Sequence, residues 1–212
     1  MFISRYLASH LAGHLALFCL LGAAIAAPAP AADLAPNKTV SLAPRARPTI
    51  PPTLIDIMDA SNPHTAYLGN AFTIQRMGGT GLNNLISTFT FANIPGGATG
   101  CSLAIEFPPT QRDNQIGFGP SVTVDIWSTD PWSPYGPAYP TYYSQPRKNQ
   151  LVGTINIPIT RTQTPFKTIV ASNTCSPTMS WLAEYSTWQQ GDGAAYWYNS
   201  PGYVGFSLIF DN

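Results

Sequence analysis

Glu106 and Glu184 are the only glutamates in the 212-residue chain, and their settings are alike. Each lies in an extended-looking run, "CSLAIEF" at 101–107 and "TMSWLAEY" at 178–185. Each points away from the apolar row of its run, because successive side chains of a strand alternate between faces. Two carboxylates flanked by aromatic rings are what cleavage of a glycosidic bond requires. One acid protonates the leaving oxygen, and the other serves as base or nucleophile. If both runs lie in one sheet, Glu106 and Glu184 share its outer face with Asp125 and Trp127. The chemistry that follows is that of a small secreted jelly-roll glycoside hydrolase. The plainer reading makes them outward charges that keep a sandwich soluble and discourage edge pairing.

The other reactive residue types are scarce. Three cysteines occur, at 19, 101 and 175, and three histidines, at 10, 14 and 64. Residues 1–26 have the form of a secretory signal peptide: Arg5 with no acid, then the apolar "LAGHLALFCLLGAAIA", then small residues suited to cleavage near Ala26 or Ala27. The apolar run is 16 residues, from 11 to 26, too short for a spanning helix, which needs roughly 20. Cleavage would remove Cys19, His10 and His14. Cys101 and Cys175 then remain as an even pair in an oxidising compartment, which reads as one disulfide. With His64 alone and no C-x-x-C spacing, zinc and a Cys–His dyad are poorly served, and nothing calls for a metal or a cofactor. A Ser-His-Asp triad would have to use His64 with Asp56 or Asp59, in the turn-like "SNPHTAY".

A third group of residues suits binding. The stretch "WSTDPWSPYGPAYPTYYSQPRKNQ" (127–150) sets Trp127, Trp132, Tyr135, Tyr139, Tyr142 and Tyr143 among five prolines. Prolines stop a strand and stiffen a loop, and exposed rings on such a loop can stack on sugars or anchor a protein. The opposing reading folds the loop over the sandwich and buries its own rings. "WQQGDGAAYWY" (188–198) poses the same question.

These residues need elements to hold them. Seven prolines between 27 and 52 deny that stretch regular structure, so 27–52 reads as a disordered Pro/Ala-rich leader. It carries the sequon Asn37-Lys38-Thr39, a glycosylation acceptor, and a basic "PRARP" that reads as an ordinary exposed spot or a processing site. From 53 to 212 the chain reads as one all-β domain, an antiparallel sandwich or jelly roll. Strands are expected at 53–58, 70–77, 85–91, 101–107, 121–127, 151–157, 166–171, 178–185, 194–198 and 203–210. Parity places Val122, Val124 and Ile126 inward, with Thr123, Asp125 and Trp127 outward. It also puts Val204, Phe206, Leu208 and Phe210 inward. Loss of Arg5 leaves nine Lys and Arg against ten Asp and Glu, so no basic surface exists to meet nucleic acid.

The stretches "FTFANIPGGATGCSLAIEFPP", "NTCSPTMSWLAEY" and "VGFSLIFDN" resemble the But-two C-terminal-like family of fungal proteins. The similarity covers roughly residues 66–211. The chain ends in Ile209-Phe210-Asp211 where the family has Thr-Tyr. The resemblance implies a secreted or cell-wall-associated β-sandwich with no established enzymatic activity. Its partners would be cell-wall polysaccharide or an extracellular protein, with no membrane contact after signal cleavage. No catalytic residue carries over.

Overall fold

The computed structural model describes residues 47–78, 84–189, 191–200 and 202–212, all within the compact unit formed by 42–212. The apolar N-terminal run, Asn37 and most of the leader lie outside the described residues. Short alternating apolar runs, broken by Gly, Pro and Asn, give strands and no helix among these residues. In chain order they are β1 (Thr49–Ile50), β2 (Leu54–Asp59), β3 (Ala66–Gly69), β4 (Ala71–Arg76), β5 (Leu85–Phe91), β6 (Thr99–Phe107), β7 (Gly117–Phe118), β8 (Thr123–Thr129), β9 (Lys148–Asn156), β10 (Phe166–Asn173), β11 (Met179–Tyr185), β12 (Gly193–Tyr198) and β13 (Gly205–Asp211).

All pairings between these strands are antiparallel, in two sheets. The smaller has the order β1-β13-β6-β10, and the larger runs β7-β12-β4-β5-β11-β8-β9 with the β2–β3 hairpin against β5. The inward rows meet between them. Phe206 of the small sheet stacks on Phe89 of the large one at 4.5 Å, and Phe72 stacks on Trp197 at 4.1 Å. Val124, Ile126, Leu103, Ile105 and Phe107 complete the same core. Aromatic pairs of this kind add about 1 kcal/mol each beyond the area they bury. On one flank β10 closes against β9, where a Cβ on Gly153 would lie 2.8 Å from both Val170 Cγ1 and Val170 O; only glycine permits that approach.

The large sheet forks. Leu85 pairs with both Asp59 and Gln75, and Ser87 with both Ile57 and Ala183. β2 therefore holds one edge of β5, while β11 and β4 share the other. β11 takes Ser87–Phe91, and β4 replaces it at Leu85. Beyond that point β11 and β4 diverge.

Cys101 and Cys175 form the disulfide, with Cα atoms 5.2 Å apart. Cys101 is buried at the start of β6; Cys175 is half-buried in the turn after β10, not on β11. The bond thus clamps one end of the β6–β10 pair, just past the Cys101–Asn173 register position. Thr49 and Ile50, placed by the sequence within the leader, form β1 on the edge of β13. Arg47 of the "PRARP" spot bonds Asp211 at 2.9 Å. β3 and β7 were not expected: the first follows the turn residues 59–65, and the second is two residues long.

Candidate functional site

The aromatic loop leaves β8 at Thr129 and re-enters at Lys148, which pair with each other. Between them it crosses the outer face of the large sheet, and both readings of its rings are realised, each for different residues. The Trp132 indole N–H donates to Thr88 Oγ1 at 3.0 Å, its carbonyl accepts from Thr90 Oγ1, and its backbone N–H donates to Ser180 Oγ. Tyr142 packs with Trp127 on Met58, Ile86 and Leu182, a second small apolar cluster outside the main core. Tyr139 is half-buried. Tyr135 and Tyr143 are 69% and 77% exposed. Tyr143 is fixed by its backbone N–H on the Pro63 carbonyl, 2.7 Å away, and its ring lies 4.7 Å from that of His64. In the second aromatic stretch the same division holds: Trp197 is buried, while Trp188 and Tyr198 are exposed.

Two turns, at 92–93 and at 178, and the start of this loop meet at the disulfide end of the sandwich and form a groove of about 320 Å3. Its walls include Asn93, Trp132, Ser133, Tyr135 and Thr178. Asn93 sits at φ 60°, in the left-handed region that asparagine tolerates, and its amide donates to Tyr135 Oη at 3.2 Å. That bond sets the ring of Tyr135 over the groove's rim. Pro131 and Thr178 also border a neighbouring pocket of about 130 Å3 lined by Ser128, Thr129, Asn173, Ser176 and Ser180. Thr129 Oγ1 and Trp181 Nε1, both in its wall, are buried without a hydrogen-bond partner. No residue lining either space carries a charge. The sequence pointed to Trp132 and Tyr135 but not to Asn93, Thr129 or Thr178; an asparagine before "IPGG" signals a turn, and nothing local says that the turn meets a loop some forty residues on.

The glutamates are not a pair. Glu106 is on β6 of the small sheet and Glu184 on β11 of the large one, so they project from the outer faces of different layers. Each is held by a lysine: Lys167 at 3.0 Å from Glu106, and Lys148 at 2.5 Å from Glu184. The two-glutamate glycosidase reading fails because inward parity fixes a face only relative to a strand's own sheet. The carboxylate that does accompany Glu184 is Asp125, directly opposite on β8. Asp125 was expected outward on an open face. It is buried, and Oδ1 accepts from Thr154 Oγ1 at 2.7 Å and Ser186 Oγ at 2.6 Å. Thr123 is likewise covered, and donates to Asn156 Oδ1.

No triad forms at His64. Asp59 accepts from the Ser61 backbone N–H and the Asn62 side chain, and so shapes its own turn. Asp56 is fully buried on the outer face, with Oδ1 accepting from the Tyr67 N–H at 2.8 Å and Oδ2 unpartnered. Burial pushes its carboxyl up to about 6, against a smaller lowering by the Tyr67 bond. Among the described residues no group of three or more His, Cys, Asp or Glu converges as a metal site. No protein-family model matches the chain, and no curated protein matches it.

Proposed function

We propose that the chain is a secreted β-sandwich that binds neutral polysaccharide of the cell wall through the groove at Trp132 and Tyr135. The observation that carries this reading is an uncharged groove beneath an exposed, oriented tyrosine ring, opening beside a hydroxyl-lined pocket. Sugar rings offer an apolar face to an aromatic side chain and a rim of hydroxyls to amides and alcohols, and this lining supplies both. Absence of charge favours a neutral glycan over an acidic one. The short stretches that resemble the But-two C-terminal-like family, the N-terminal apolar run and the disulfide accord with a wall or extracellular setting.

Retention of the purified protein on insoluble glucan, chitin and xylan tests the reading. Tyr135→Ala removes an exposed ring without opening the core and is expected to abolish retention. Tyr203→Ala, which removes a ring that lines neither space, is expected to leave it intact. A protein that stays in the supernatant with all three polysaccharides has another function.

A further inference from the structure

The fork in the large sheet opens a second space at the far end of the aromatic loop. Where β11 and β4 part beside β5, their outer faces leave a cleft of about 170 Å3, walled by Arg76, Asn84, Glu184 and Thr187 and roofed by Tyr142 and Gln145 of the loop. The loop is anchored above it, since the Tyr143 N–H bonds Pro63 and the Gln145 amide donates to the Tyr142 carbonyl. From the positions of Asn84, Glu184, Tyr142 and Gln145 around this cleft, we propose that it is a separate binding site for a single neutral sugar unit, such as a chain end or a branch.

Three observations select that ligand. First, the cleft has acceptors to satisfy. Asn84 Oδ1 is buried with no donor, and Lys148 occupies only Oε2 of Glu184. A buried acceptor left unmet is costly, so a ligand rich in hydroxyl donors gains there. Second, the charges oppose ions of either sign. Arg76 commits its Nη atoms to the carbonyls of Tyr185, Ser186 and Gln189, and its guanidinium lies over the Tyr185 ring; no carboxylate neutralises it among the described residues. An amine would meet that cation, and a carboxylate would meet Glu184. Third, the size fits one ring: a cavity of about 150 Å3 accommodates benzene, and this cleft is slightly larger and open on one side. Tyr142 presents an aromatic wall, and the Thr187 hydroxyl and the Gln145 amide can donate to ring oxygens.

Amide chemical shifts of the full domain, followed while glucose, mannose or N-acetylglucosamine is added to millimolar levels, test the site. Expected are saturable shifts at Asn84, Gln145 and Thr187 with at least one of these sugars. Glucosamine and glucuronate should each bind more weakly than their neutral parent. Gln145→Ala on the exposed loop should weaken binding about tenfold, as should Glu184→Gln by loss of a charged acceptor. Shifts confined to Asn93 and Tyr135 would leave the wall-binding groove standing and overturn the cleft. So would tighter binding of either charged sugar, or failure of both variants to alter the affinity.

Discussion

Asp125 and Glu184 stand directly opposite each other on β8 and β11, on the outer face of the large sheet, with Lys148 bonded to Glu184. Like charges facing one another across a strand pair repel, and the lysine offsets that repulsion while its ammonium lies 5.5 Å from the Trp127 ring centre. Hydroxyls from Thr154 and Ser186 hold Asp125 from the other side.

Lys148→Met should therefore destabilise the domain by about 1 kcal/mol, and Glu184→Gln should remove most of that penalty when combined with it. The Lys148 and Glu184 side chains are 32% and 17% exposed, so the effect should shrink with added salt. Urea unfolding of the two single variants and the double variant gives the coupling energy directly. Strict additivity would show that the lysine does nothing for the carboxylate pair.

The disulfide closes a span of 74 residues, worth about 4 kcal/mol on the chain-entropy account. Replacing Cys101 and Cys175 together by alanine should lower the melting temperature by about 10 °C. Because the bond clamps the free end of the β6–β10 pair, exchange of the Ser102 and Ser172 amides should accelerate before that of Ile105.

Asp56 makes stability depend on pH. Its carboxyl titrates near 6 in the folded chain against 3.8 when free, so the native state holds the proton more tightly. The stabilisation is full below about pH 4, is lost as pH rises through 6, and amounts to about 3 kcal/mol in all. Asp56→Asn keeps an acceptor for the Tyr67 N–H and removes the charge. The variant should be the more stable protein above pH 6 and should lack the wild-type decline between about pH 4 and pH 7. Parallel stability curves for the two proteins would place the titration elsewhere.

Gly205→Ala should cost about 2 kcal/mol or more. Gly205 has φ 92°, where a side chain is strained, and a Cβ there would collide with Asn199 Oδ1. That oxygen accepts the Phe206 N–H, and the Asn199 amide donates to the Phe206 carbonyl, which fixes the entry to β13. Chemical denaturation measures the loss; a variant as stable as the parent would mean that this entry relaxes freely.

Much of the architecture was legible because strand parity is local. Val122, Val124 and Ile126, and Phe206, Leu208 and Phe210, face the core as alternation requires, and cysteine arithmetic paired Cys101 with Cys175. What alternation cannot express is which strands become neighbours. Glu106 and Glu184 have the same parity in their runs yet belong to different sheets, whereas Asp125 and Glu184 became neighbours through register. Nor does parity reveal a cover laid on an outward face. Asp125 is buried because Thr154, Ser186 and the neighbouring strands enclose it, and Asp56 is buried on the face that the aromatic loop crosses. For the loop itself, composition marked six aromatic residues without separating Trp132, which is bonded down to Thr88 and Ser180, from Tyr135, which is free to meet a ligand.

The two-residue strand β1 has a bearing on how the protein behaves when crowded. It covers Leu208 and Ile209 at the margin of the small sheet, and it is bracketed by Pro48, Pro51 and Pro52. The Pro48 carbonyl accepts the Phe210 N–H, but none of the three prolines has a proton to offer a newcomer. An incoming chain finds two residues to pair with and imide nitrogens on either side, too short a template to propagate cross-β growth. Copies at high local concentration can thus stand shoulder to shoulder without their small sheets knitting into fibrils along this margin.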